Sequence, residues 1–142
     1  MILYLDTSAL VKLFVAEVGS ETVRALVEGS EAVATAAVAY AEARAAFARK
    51  RREGGLSGPE LRRLVSALDT HWESYAAVDV GVAVARAAGA LAEQRGLRGF
   101  DAIHLAAALL VRDRTEADLR FCAADGQLTA AATAEGLDVV RV

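Results

Sequence analysis

Short apolar runs alternate along this chain with longer stretches whose apolar positions recur every three or four residues, a pattern of strands interleaved with helices. Ile2 to Leu5 reads as a buried strand, and a short helix that Thr7 or Ser8 can cap follows to about Val15. Gly19-Ser20 opens a second helix, with Val23, Leu26 and Val27 on one face, ending near Gly29. Glu31 to Thr35 is a short strand despite its alanines. A long alanine-rich helix then covers Ala37 to Arg52 and is closed by Gly54-Gly55. Ser57-Gly58-Pro59-Glu60 is a capping box with an early proline, so the next helix starts there and runs to about Trp72. Tyr75 to Val78 reads as a strand, with Asp79 capping a helix that ends near Arg95-Gly96. Gly99-Phe100-Asp101 begins a helix reaching about Val111, and Arg112 to Asp118 is a polar loop. Arg120 to Ala123 returns to the sheet, a short helix covers Gln127 to Glu135, and Asp138 to Val142 is the last strand. This order predicts an α/β fold: a mainly parallel sheet of about five strands with helices on both faces. Sites in such folds form beyond the carboxyl ends of strands.

Length and composition narrow the class. At 142 residues, 55% hydrophobic and 25% charged, residues 1–142 are expected to form one domain with a substantial core. No apolar run is long enough to span a bilayer, and the first fifteen residues lack the basic start of a signal peptide. A cytoplasmic protein without membrane attachment is therefore expected. Cys122 is the single cysteine and can form no internal disulfide; with only two histidines, no zinc-ligand spacing exists. The net charge of −3 hides an uneven distribution. Between Arg44 and Arg63 seven basic residues accompany only Glu53 and Glu60, a local charge of +5 that leaves −8 for the remainder. That segment reads either as a solvated helix end or as a surface for phosphates or an acidic partner.

Four carboxylates stand out because each interrupts an apolar stretch, where an unpaired charge is costly. Asp6 directly follows the first strand, and Asp125 follows Leu119-Arg120-Phe121-Cys122-Ala123-Ala124. Glu42 has Val38, Ala39, Ala45 and Ala46 three and four residues away on its helix, so it is expected to point into a site rather than lie on a solvated face. Asp101 sits in the first turn of a largely apolar helix. Each also has a purely local role open to it: Asp6 as a cap, Glu42 as an exposed glutamate on an alanine-rich helix, Asp101 as a dipole partner and Asp125 as a turn residue. Together, acids from four separated segments suit a hard divalent cation with oxygen ligands.

Asp6-Thr7-Ser8-Ala9 after the first strand, Glu42 on the third helix, Phe100-Asp101-Ala102-Ile103-His104-Leu105-Ala106 and Phe121-Cys122-Ala123-Ala124-Asp125 resemble the PIN domain. Size and layout are most similar to VapC-type toxins of prokaryotic toxin–antitoxin pairs, and the resemblance covers essentially the whole chain. It implies a three-layer α/β/α fold and an endoribonuclease dependent on Mg²⁺, with Mn²⁺ able to substitute. Asp6, Glu42, Asp101 and Asp125 match the four acidic catalytic and metal positions, and Ser8 matches a supporting polar position. Ala123 stands where the family commonly has Thr or Ser, a departure that removes a hydroxyl from beside Asp125. The implied partners are RNA with single-stranded or loop regions, a small VapB-like antitoxin and a second copy in a homodimer. Arg44, Arg49, Arg51 and Arg52 are the candidate RNA contacts. His104 is read as a packing residue rather than a general base, and Tyr40, His71 and Trp72 as packing too. A PIN nuclease of RNA processing without an antitoxin, and a PIN-like binding domain without activity, stand as alternatives. A phosphotransferase of haloacid-dehalogenase type would need an aspartate where Ser8 stands. A receiver domain would need a late lysine, whereas the last here is Lys50.

Overall fold

A computed structural model describes all 142 residues and contains one five-stranded parallel sheet of order β3-β2-β1-β4-β5. Its strands are β1 (Ile2–Leu5), β2 (Ala32–Ala36), β3 (Ala76–Val78), β4 (Leu119–Ala123) and β5 (Asp138–Arg141). The helices are α1 (Thr7–Phe14), α2 (Ser20–Glu28), α3 (Val38–Arg52), α4 (Gly58–Trp72), α5 (Val82–Arg95), α6 (Gly99–Asp113) and α7 (Gly126–Ala134). β1 is central, pairing Leu3 with Val33 of β2 on one side and Leu5 with Cys122 of β4 on the other.

Strand residues point alternately to opposite faces, and the two apolar cores follow that alternation. Leu3, Leu5, Val33 and Cys122 pack with Leu10, Val23, Phe47 and Leu68 beneath α1 to α4. Tyr4, Ala34, Ala36 and Phe121 pack with Leu105, Leu91 and Leu128 beneath α5 to α7. The result is the expected three-layer α/β/α fold. Small alanines in β2 and α6 let helix and sheet approach closely, and this explains why an alanine-rich segment forms a strand here.

Local expectations differ from the structure in three places. Asp6, not Thr7 or Ser8, caps α1: its extended backbone (φ −73°, ψ 175°) lets the carboxylate accept the Ala9 N–H at 2.9 Å. Helix α5 begins at Val82 behind the extended Gly81 rather than at Asp79, and Val80 packs, partly buried, against the core. Helix α6 continues through Arg112 into the expected loop, held by the Arg112 guanidinium donating to the Glu135 carbonyl at 2.9 Å. The Ser57–Glu60 capping box is present in both directions, at 3.2 and 3.0 Å.

Phe47 is fully buried and meets the Phe14 ring edge-to-face at 6.1 Å, tying α3 to α1. Phe47→Ala is expected to destabilise the fold by about 3–5 kcal/mol, through lost burial and the cavity left behind. Urea denaturation followed by far-UV circular dichroism measures this as a lower midpoint.

Candidate functional site

The parallel pairing of β1 with β4 decides where the acids go. Leu5 and Cys122 are register partners and the Asp6 N–H donates to the Cys122 carbonyl at 3.1 Å, so the chains leave both strands side by side. Asp6 then caps α1 and Asp125 caps α7, accepting the Leu128 N–H at 3.1 Å. Glu42 on α3 and Asp101 in the first turn of α6 reach the same cleft, which has a volume of about 670 Å³ and is lined by all four acids. Ser8 joins them: its hydroxyl donates to Asp6 Oδ1 at 2.7 Å and accepts the Ala124 N–H at 3.1 Å, bridging the two strand ends.

In each carboxylate the protein's hydrogen bonds fall on one oxygen only. Asp6 Oδ1 takes the Ser8 hydroxyl and the Ala9 N–H. Glu42 Oε1 takes the Thr7 hydroxyl at 2.6 Å and faces His104 Nε2 at 3.2 Å. Asp101 Oδ2 accepts Nε and Nη2 of Arg98, both at 3.2 Å, and Asp125 Oδ2 accepts the Leu128 N–H. The four second oxygens receive no protein donor. This all-oxygen donor set fits a hard cation such as Mg²⁺, which is usually held by one or two carboxylates with water completing its shell. No three His, Cys, Asp or Glu side chains already form a group that could hold an ion, so the carboxylates are not a preassembled cage.

Glu42 is oriented from below by a network that sequence reading assigned only to packing. His104 is 2% exposed; its Nδ1 lies 2.9 Å from the Tyr4 hydroxyl and its Nε2 3.0 Å from Thr7 Oγ1. Burial, with the charges of Asp6 and Glu42, pushes the Tyr4 phenol up, so it stays protonated beside Nδ1. Nε2 faces Glu42 and Thr7, and the Thr7 hydroxyl donates to Glu42. Burial by itself pushes Glu42 up, but the bonds from His104 and Thr7 outweigh it and hold the carboxyl below its ordinary value. Asp6 is the opposite case. It is 4% exposed, and burial, helped by the nearby Asp101 charge, holds it above the ordinary range despite the bonds from Ala9 and Ser8.

The basic segment divides between two surfaces. Arg49, Lys50 and Arg52 line the cleft, as does Arg98. Arg44 instead lies 5.7 Å from the Tyr40 ring centre, and Arg51 donates to the Leu56 carbonyl; neither lines the cleft. They turn away because residues two or five apart on a helix face different directions from the Glu42–Arg49 stripe. Tyr40 packs on Trp72 and hydrogen-bonds Asp69, and His71 packs on Phe14, as packing residues do. Thr7, Lys50 and Arg98 were missed in the sequence; the signals were the hydroxyl beside Asp6 and the three-residue spacing from Arg98 to Asp101.

The family model described as PIN domain matches residues 3–127. The chain belongs to the PIN-domain family. Ribonuclease VapC45 of Mycobacterium tuberculosis (strain CDC 1551 / Oshkosh) is 39% identical over 112 residues, 79% of this chain and 78% of the relative. Among solved structures, FitAcB from Neisseria gonorrhoeae superposes with a TM-score of 0.72 at 21% identity, covering 99% of this chain and 97% of the other. A toxin–antitoxin complex from Klebsiella pneumoniae gives 0.59 at 18% identity, covering 83% of each chain. At these identities the two structures show a shared PIN fold.

In this PIN domain the buried Asp6 opposes folding, whereas Glu42, held below its ordinary value, favours it. With its folded-state pKa raised, Asp6 costs stability once pH exceeds its unfolded value, and the penalty grows until pH has passed its folded value. Asp6→Asn keeps a cap of the same shape and is expected to raise Tm at neutral pH. The difference from wild type should close near about pH 3, where Asp6 is protonated in both states. Thermal scans at the two pH values measure it. Tyr4→Phe removes the only hydroxyl at His104 Nδ1 and should lower stability by about 1–2 kcal/mol, read as a lower urea midpoint.

Proposed function

We propose that this PIN-domain protein is an endoribonuclease that hydrolyses RNA phosphodiester bonds with Mg²⁺ or Mn²⁺, and that it is the toxin of a VapBC-type pair. The observation that carries this reading is the convergence of Asp6, Glu42, Asp101 and Asp125 on one cleft, each with one oxygen tethered and one without a protein donor. Relatedness to a VapC ribonuclease over most of both chains supports the activity, and the fold shared with a toxin–antitoxin complex supports an antitoxin partner.

A divalent cation bound there stabilises phosphoryl charge and lowers the pKa of an attacking water. The chain's own residues do the rest. Asp6 and Asp101 are the principal cation ligands, with Glu42 and Asp125 completing the set or orienting water. Tyr4, His104 and Thr7 keep the Glu42 carboxylate at one angle, and Ser8 holds Asp6 against the end of β4. Arg49, Lys50 and Arg52 attract the RNA backbone along the α3 wall of the cleft. Single-stranded or loop RNA is the substrate class, because an inset acidic cleft needs an exposed phosphate and unstacked bases. The protein acts in the cytoplasm as a homodimer, as one domain over residues 1–142. No helix is long and apolar enough to cross a membrane.

The test is cleavage of a mixed RNA panel by pure protein with Mn²⁺, with Mg²⁺ and with EDTA, beside Asp101→Asn. Cutting is expected with either cation, abolished by EDTA, and reduced at least about 100-fold in the variant. Cutting that persists in EDTA, or at the wild-type rate in a folded Asp101→Asn protein, refutes the assignment.

A further inference from the structure

Among the arginines and lysine lining the cleft, only Arg98 is paired with one of the four site carboxylates. Nε and Nη2 both reach Asp101 Oδ2 at 3.2 Å, while Nη1 makes no hydrogen bond to the protein. Its position is not explained by capping or packing. Arg98 is the N-cap residue of α6 but its side chain caps nothing, and a cation at a helix N-terminus opposes the macrodipole. The side chain is 84% exposed whereas Asp101 is 18% exposed. An exposed ion pair of this kind contributes little to folding and exchanges readily. A guanidinium is also the side chain best matched in shape to two oxygens of a phosphate.

Charge balance gives this arrangement a purpose. Without a cation, the four site carboxylates share the cleft with Glu17 and Glu53, and the Asp101 charge adds to the burial that raises the Asp6 pKa. A positive charge on Asp101 relieves that repulsion. A divalent ion at the same carboxylate would repel the guanidinium, and an incoming phosphate would attract it. We propose that Arg98 is an exchangeable counter-cation: it occupies Asp101 in the cation-free protein, leaves when a divalent ion binds, and takes a non-bridging oxygen of the RNA phosphate. This rests on the reading of Asp101 as a cation ligand. It makes Arg98 a substrate-contacting residue and at the same time a competitor of the metal.

These two roles predict effects of opposite sign. Arg98→Ala should bind Mn²⁺ about 2- to 5-fold more tightly in isothermal titration calorimetry, since no ion pair has to be broken. The same variant should cleave RNA with kcat/KM about 10- to 100-fold lower. Arg98→Lys, which keeps the charge without the planar fork, should fall between wild type and Arg98→Ala in cleavage. Arg49→Ala removes a cleft cation that has no carboxylate partner, and its gain in Mn²⁺ affinity should be clearly smaller. A merely structural Arg98 would weaken both properties or neither. Unchanged or weaker Mn²⁺ binding in Arg98→Ala, an equal gain in Arg49→Ala, or undiminished cleavage overturns the proposal while leaving the nuclease standing. Failure of the wild type to bind Mn²⁺ or cut RNA, with Asp101→Asn indistinguishable from it, strikes the nuclease reading itself and this proposal with it.

Discussion

Like-charge repulsion at the carboxyl edge of the sheet is the constraint around which this molecule is arranged. Parallel pairing of β1 with β4 delivers Asp6 and Asp125 to one place, and α3 and α6 add Glu42 and Asp101. Left unopposed, such a cluster would protonate or spread apart. The fold restrains it by several small devices. Asp6 and Asp125 cap helices and Asp101 lies in a first turn, so three of the four acids meet the positive end of a helix dipole. One oxygen of every carboxylate is anchored by a hydroxyl, an imidazole, a guanidinium or a backbone N–H. The other is left for something the chain does not supply.

This division of labour joins the core to the site. Tyr4 is a core residue, stacked 5.4 Å from Phe121 with the rings 8° apart, yet its hydroxyl sets the orientation of His104. The hydrogen-bonded path from Tyr4 through His104 to Glu42 thus begins inside the sheet's packing. Every buried polar side-chain atom has a hydrogen-bond partner, so the network is complete rather than a reservoir of unmet donors. Side-chain alternation along β1 makes this possible. It turns Tyr4 toward α6 while Leu3 and Leu5 pack beneath α1 to α4.

The basic end of α3 shows why charge counting along the chain was only half informative. The +5 segment was visible, but its residues diverge around the helix: Arg49, Lys50 and Arg52 border the acids, while Arg44 and Arg51 are taken up by Tyr40 and Leu56. A negative pocket beside a positive wall suits a polyanion whose one phosphate meets a cation while its neighbours meet arginines. Net charge alone would have argued against such a partner.

The sequence by itself determined the alternation of strands and helices, the capping box at Ser57, the parallel α/β class and the four acids at element ends. Those features depend on periodicity and on residues a few positions apart, where local physics dominates. Which of Asp6, Thr7 and Ser8 caps α1, and where α5 begins, local sequence left open, because several adjacent residues could have capped each helix. Only the tertiary structure decided that His104 lies beneath Glu42, that Thr7 rather than a neighbour touches it, and that Arg98 rests on Asp101. His104 and Glu42 are 62 residues apart and Tyr4 and His104 are 100 apart. No pattern along the chain encodes such a pairing; it exists because β1, α3 and α6 pack around one point.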